Sequence, residues 1–546
     1  MSSSSESSGL LSRISPATAT AAFAALAVSW FAISSFRSYW RLRHIKGPPL
    51  AAWSKWWLVR TVGGGRAYLD FWEVNQKYGD IARVGPNDVV CSDPDLMKRV
   101  LAVRSEYRRS DWYDGMRFHP KKNNVLSWRD EDEHFKLRSK MAAGYSGREV
   151  LDLERKIDKN LDALIKRLDD DIAAGGPLDF GRKAQYFTLD VITDLAFGDP
   201  FGFLATDSDI YDYIRTTEES LPVFMVTTVL PWMIKLFGSP IFASILPSDK
   251  DVLGFGKVMA ISKKVSAERF GPNKKVQKDM LGSFVAHGLT QDEAESEILL
   301  QIVAGSDTTA TAIRATMLHL ITNPRVLGKL LEEIHATTTA GPLISDTEAR
   351  ALPYLQAVIK EGLRIFPPVA GLMAKEVPPG GDTWKGVFLP GGTRIGYGAW
   401  GIFRNRTLWG EDADEFRPER WLEGPPEKTR ELESTLDLIF SYGRWQCLGR
   451  PVALMELGKV FFEVCLWRED VEGVSLLTIL CLCRSPSVLI FPSSTPRGPG
   501  SLSTAASLHS LSFGSGLLTG MVERSRCLVA RMFGGVVTCS QLATRI

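Results

Sequence analysis

The sequence predicts a mainly α-helical chain with small β-sheets, an α+β architecture carried behind one N-terminal transmembrane helix. Three observations predict it. Helical patterns dominate from Asp130 to Thr339. Strand-like patches are short and confined to Ile81–Cys91 and Trp384–Trp400. The stretch Ala17–Phe36 is apolar and carries no charge, which suits the hydrocarbon thickness of a bilayer.

The elements follow in chain order. Residues 1–16 are Ser-rich and read as disordered. Residues 17–36 form the span. Arg37, Arg41, Arg43 and Lys46 follow it, against Arg13 alone before it, a bias that keeps the C-terminal side in the cytosol. Trp30, Tyr39 and Trp40 suit the interface. A cleaved signal peptide would have a shorter core with its basic residues in front, so a retained anchor fits better. Residues 37–50 are a basic, Pro-rich hinge that closes on Gly47-Pro48-Pro49, a stiff break. Residues 51–464 are the globular domain. Within it Tyr107–Trp128 is polar and aromatic and reads as a loop. Thr290-Gln291-Asp292-Glu293 is a capping box opening a helix that runs to about Thr322, with Pro324 starting the next. Residues 465–546 turn Ser-, Leu- and Gly-rich, hold five of the seven cysteines and read as a poorly ordered tail. They fit either a retained intron or shifted frame, or a lineage-specific extension.

Composition excludes some classes. Lys+Arg number 65 and Asp+Glu 63, so bulk charge points to no nucleic acid or other polyanion. The cysteines show no disulfide spacing. Gly63-Gly64-Gly65 is no dinucleotide fingerprint.

The chemistry centres on Cys447 in Phe440-Ser441-Tyr442-Gly443-Arg444-Trp445-Gln446-Cys447-Leu448-Gly449. No other Cys or His stands at zinc-like spacing. A single thiolate can hold an iron already carrying four porphyrin nitrogens, and its electron push favours O–O cleavage. Gly443 and Gly449 allow the backbone to bend and approach a flat ring. Backbone N–H groups aimed at the sulfur would keep it a thiolate. Taken alone, Cys447 would more often be a small core residue. Three companions reverse that: Glu361-Gly362-Leu363-Arg364 on a helix, Pro418-Glu419-Arg420-Trp421 after it, and Ala304-Gly305-Ser306-Asp307-Thr308-Thr309 interrupting the long apolar helix.

Together these motifs resemble the cytochrome P450 superfamily, over roughly Ile45 to Val464. Ser110-Asp111-Trp112-Tyr113-Asp114-Gly115-Met116 and the cysteine loop are similar to fungal microsomal enzymes related to pisatin demethylase and benzoate hydroxylases. The resemblance implies a haem-thiolate monooxygenase: haem b with Cys447 as the axial metal ligand and Phe440, Gly443, Arg444, Trp445 and Gly449 as its loop. Relatives usually carry Arg or His where Trp445 stands, binding a haem propionate. Here His134 and Arg138, one turn apart, can share that duty, as can Lys375, a point charge where relatives have a fork. Glu361, Arg364 and Arg420 are implied as a buried structural triad. Thr308 and Asp307 are implied as catalytic: the hydroxyl faces dioxygen and the carboxyl relays protons, which is general-acid work. Gly305 is read as making room for O₂.

Electrons are expected from NADPH through an external NADPH-cytochrome P450 reductase, with cytochrome b5 as an optional donor. The reductase would dock on a basic surface that includes Lys136, Lys140, Arg444 and Arg450. The apolar stretches Leu221–Phe237 and Val369–Met373 imply a lipophilic small-molecule substrate, such as a terpenoid, polyketide or alkaloid of secondary metabolism. The expected location is the endoplasmic reticulum membrane, single-pass, with the catalytic domain in the cytosol. Two alternatives stand beside this reading. One is an inactive haem-binding pseudoenzyme, crippled by its C-terminus. The other is a detoxifying O-demethylase or hydroxylase of aromatic or plant-derived compounds.

Overall fold

A computed structural model describes residues 16–470, apart from 151, 176–177 and 242–246. The Ser-rich start and nearly all of the atypical tail lie outside the described residues. The anchor helix, Pro16–Arg41, runs to the basic cluster, and Ala19–Arg41 is long and apolar enough to cross a membrane. Its C-terminal end is fixed to the domain by Arg83, a buried cation that donates to the carbonyls of Ser38, Tyr39 and Ala52. Such a cation satisfies carbonyls the helix leaves open. Gly47 permits the closure, since a Cβ there would meet the Arg83 carbonyl oxygen at 2.0 Å.

Among the described residues, seven short strands make two sheets. Strands β1 (Ile81–Arg83), β2 (Asp88–Cys91), β3 (Arg108–Arg109), β4 (Lys375–Glu376) and β7 (Arg394–Tyr397) form one sheet, in the order β1-β2-β7-β4-β3. Strands β5 (Asp382–Trp384) and β6 (Val387–Leu389) form a hairpin. The pairing that matters for function is β3 against β4, which sets Arg109 opposite Lys375.

Helices supply the rest. The long helix is Gln291–Thr322, capped by Thr290 and Glu293 as the sequence predicts, and its 32 residues span about 48 Å. It packs along the helix Phe180–Phe197, nearly every residue of which is buried. The helices Glu131–Tyr145, Pro353–Ile365 and Arg450–Asp470 complete the frame of the site. The last begins three residues after Cys447 and continues six residues beyond the predicted domain end at Val464. The segment Tyr107–Trp128 is mostly loop, with β3 and a 3₁₀ turn over Asp111–Met116 inside it.

Candidate active site

The cysteine loop is a tight backbone structure. The Cys447 N–H donates to the Phe440 carbonyl at 2.7 Å, closing the loop on itself. Ser441 sits at φ 61° and Gly443 at φ 64°. A side chain at Gly443 would be strained and would meet the Leu101 carbonyl oxygen at 2.7 Å. The N–H groups of Gly449 and Arg450 point at the sulfur. Burial pushes the Cys447 thiol up; those two N–H groups, Arg138 and Arg450 pull it back. Cys447 thus lies deep among protein atoms, yet its own surface is open, because it faces interior space rather than bulk solvent. Ala304 is likewise open in the middle of an otherwise buried stretch of the long helix. A flat group held between that helix and Cys447 would cover both surfaces.

Cations crowd one edge of the site. His134, Arg109 and Lys375 are buried and Arg138 is half-buried. Burial, with Arg109, Arg138, Lys375 and Arg444 around it, pulls His134 down to about 2, so its imidazole is neutral. Burial and the Arg109 charge pull Lys375 down to about 7. The groups acting on Arg138 beyond burial are Cys447 and Tyr145, and no carboxylate is among them. Like charges directly opposite across a sheet are destabilising. Arg109 and Lys375 nevertheless face each other, and among the described residues neither forms an ion pair with an acid, Glu131 acting on Lys375 only from a distance. The arrangement is consistent with an anion at this edge, and a macrocycle bearing carboxylates fits it.

Trp445 is the floor of this cluster. Its ring lies 3.9 Å from the Arg109 guanidinium carbon, 4.9 Å from the Lys375 ammonium and 4.0 Å from the His134 ring. A further cation here would add to the repulsion, whereas an indole face attracts two cations at once. Sequence reasoning missed Arg109. Its signal was weak: a second Arg in Tyr107-Arg108-Arg109-Ser110, where alternation turns one Arg outward and the next inward.

Arg444, which acts on His134 and Lys375 at this edge, also has partners of its own. Its guanidinium is neutralised by Glu131 at 2.5 Å and also donates to the Val103 carbonyl. The other cations expected on the reductase surface are paired too: Lys136 with Glu133, Lys140 with Glu293, and Arg450 with Asp437. Arg450 also lies over the Phe440 ring at 5.4 Å.

On the long helix, Ala304 and Thr308 share a face, and the Thr308 hydroxyl donates to the Ala304 carbonyl at 2.8 Å. Asp307 lies on a different face. Its carboxylate accepts from Gln185 Nε2 at 2.9 Å, on the neighbouring helix. Burial raises its pKa, while Arg314 and Gln185 oppose the rise. Gly305 also departs from expectation. A Cβ there would meet Ile192 at 2.8 Å, so the glycine lets two helices pack closely and its vacant side faces away from the oxygen side.

The triad is assembled behind the loop. Glu361 and Arg364 are fully buried and Arg420 nearly so. Glu361 receives Arg364 Nη2 at 2.8 Å and Nε at 2.9 Å, Arg420 Nε at 2.9 Å, Trp421 Nε1 at 3.0 Å and the Arg417 N–H at 2.8 Å. Arg364 extends to the carbonyls of Phe403, Ala413 and Glu415. One carboxylate and its arginines therefore tie together the segment from Phe403 to Trp421.

Known proteins resemble the chain over the same stretch. A family profile described as cytochrome P450 matches residues 46–471. A cytochrome P450 monooxygenase ABA1 of Pyricularia oryzae is 43% identical over 470 residues, covering 83% of this chain and 92% of the relative. A cytochrome P450 monooxygenase aba1 of Botryotinia fuckeliana is 41% identical over 434 residues, covering 78% and 85%. A cytochrome P450 monooxygenase abl1 of Leptosphaeria maculans is 36% identical over 447 residues, covering 80% and 79%.

Proposed function

The chain belongs to the cytochrome P450 family, as a monooxygenase of the fungal type, and from that premise we propose an NADPH- and O₂-dependent enzyme that oxidises a lipophilic small molecule in secondary metabolism. The observation that carries the reading is the pairing of a lone cysteine, its sulfur met by two backbone N–H groups, with an open face at Ala304 and Thr308. Haem bound through Cys447 supplies one-electron and oxygen chemistry.

The chain's own residues do the rest. Gly449 and Arg450 hold the sulfur as an electron-rich ligand by their N–H groups. Arg109 and Lys375, both over Trp445, together with Arg138 would hold the carboxylate edge of the ring and orient it. Thr308 must release the Ala304 carbonyl to donate its proton toward the oxygen side. Asp307, held by Gln185 with Arg314 nearby, relays the replacement proton from solvent. The triad keeps the cysteine loop in register and takes no part in turnover. The substrate is bounded by apolar groups: Trp112, Tyr113, Met225, Leu372 and Met373 belong to one cluster beside β4.

Location follows from the anchor. We place the protein in the endoplasmic reticulum membrane with its catalytic domain in the cytosol. The anchor exposes Phe23, Trp30 and Phe31, and Trp53, Trp56, Trp232 and Ile241 are exposed on the domain. Large exposed apolar groups mark contact surfaces. They suit a substrate drawn from the membrane. Electrons come from a membrane NADPH-cytochrome P450 reductase, with cytochrome b5 as a second donor.

The test is turnover of the full chain in microsomes with reductase, NADPH and isotopically labelled dioxygen, read by metabolite profiling. A product carrying one labelled oxygen atom supports the reading. Haem-loaded protein that consumes no NADPH and yields no product supports the inactive alternative.

A further inference from the structure

Arg109 touches both halves of the site. Its Nη1 donates to three carbonyls of the segment Asn124–Trp128: Val125 at 3.0 Å, Leu126 at 2.7 Å and Trp128 at 2.8 Å. A guanidinium nitrogen has two hydrogens, so three acceptors oversubscribe it. Its Nε is buried and has no partner among the described residues. The plane of the group lies between two rings, 4.3 Å from Tyr113 and 3.9 Å from Trp445. The Tyr113 hydroxyl in turn donates to the Met373 carbonyl at 3.1 Å, where Met373 holds φ 44°.

The same segment is gripped from the oxygen side. The Val125 N–H donates to Glu297 Oε1 at 2.7 Å, and Glu297 is buried. Glu297 lies seven residues before Ala304, two turns along the same helix face and about 10 Å away. Residues 124–128 therefore run beside the reacting face of the long helix. They are held by a carboxyl on one flank and by Arg109 on the other.

We propose that Arg109 is a positioning residue that couples the carboxylate edge of the bound cofactor to the order of Asn124–Trp128, so that this wall of the substrate chamber sets firmly only when an anion occupies the cation cluster. The proposal rests on the haem-thiolate reading above. Its physical basis is the facing pair Arg109–Lys375. With no anion, the repulsion falls on this buried pair, and Lys375 is held by the Trp445 face at 4.9 Å, the Tyr107 carbonyl at 3.5 Å and the more distant Glu131 charge. A carboxylate beside Nε relieves the repulsion and holds the guanidinium still. The three loop carbonyls then keep their donor.

The experiment is hydrogen–deuterium exchange of the full chain, following the peptide that contains Asn124–Trp128. Three forms of wild type are compared: haem-free, loaded with haem, and loaded with haem dimethyl ester, which keeps the iron and ring but carries no carboxylate charge. The expected result is that haem slows exchange of 124–128 by roughly tenfold, about the effect of one charged hydrogen bond, and that the ester does not. In Arg109→Lys, haem and ester should give equal exchange. Equal protection by haem and ester in wild type overturns the proposal, as does the absence of protection by either. Spectra of the same samples separate this failure from that of the underlying reading, which falls if the haem-loaded protein shows no thiolate ligation.

Discussion

Replacing Glu361 by Ala removes the carboxylate on which five donors converge. Three of them belong to two guanidinium groups, Arg364 and Arg420, in a site closed to solvent. The two cations are left in unequal positions. Arg420 retains Asp412, at 3.2 Å. Arg364 keeps the carbonyls of Phe403, Ala413 and Glu415 and the Trp409 ring at 5.3 Å, but pairs with no carboxylate, and becomes an uncompensated buried charge. Breaking a buried pair by removing one partner costs about 3–5 kcal/mol. That is a shift of roughly 150- to 5,000-fold in the folding equilibrium, and it consumes much of the ~5–15 kcal/mol that holds a typical domain together. The segment from Phe403 to Trp421 loses its anchor, and the cysteine loop follows it in the chain. The assay is urea unfolding of the detergent-solubilised protein, with haem content measured in parallel. Glu361→Ala should lower the unfolding midpoint and yield little haem-loaded protein. A variant with an unchanged midpoint and full haem content would refute this reasoning.

Three further outcomes follow from the same geometry. Thr308→Ala should keep haem and substrate binding while product formed per NADPH falls roughly tenfold or more, at or below the low end of what a positioned proton donor contributes; measuring NADPH, peroxide and product together checks it, and unchanged coupling contradicts it. Trp445→Ala removes the face under Arg109 and Lys375, so haem should transfer faster to an apoglobin acceptor, whereas Trp445→Phe should transfer more slowly than the Ala variant; equal rates in all three proteins would contradict the role. Burial, with Arg404 nearby, pulls His319 down to about 4. The unfolded chain therefore binds the proton more readily, and stability present above about pH 6.5 should fall as pH drops toward 4, by up to ~1.4 kcal/mol per unit. Urea midpoints against pH should fall less steeply in His319→Phe, which can still stack on Phe416, than in the wild type, the buried His134 keeping its own share of the slope; identical slopes would count against it.

Some of this was legible because the signal is local. A capping box and a following proline bracket the long helix within a few residues. The spacing of Glu361 and Arg364 places both on one helix face, and the glycines of the cysteine loop declare their backbone need directly. The cation cluster was only half legible. His134 and Arg138 are one turn apart and visible in sequence, but Arg109 meets Lys375 through a two-residue strand pair that leaves no periodic trace. Gly305 shows the opposite limit. A glycine announces that a side chain is excluded, without telling which neighbour excludes it, and here that neighbour is Ile192. Lys140 read as part of a free basic patch because its acid, Glu293, stands far away in the chain, whereas the Glu133 partner of Lys136 was visible three residues before it.

The most direct test is the difference spectrum of the reduced, carbon-monoxide-treated full chain beside its Cys447→Ala variant. Sulfur at position 447 as the axial ligand predicts the long-wavelength Soret band of a thiolate-bound ferrous carbonyl in the wild type, and its loss in the variant. A wild-type protein that is folded but haem-free, or whose band sits where nitrogen ligation puts it, would contradict the account.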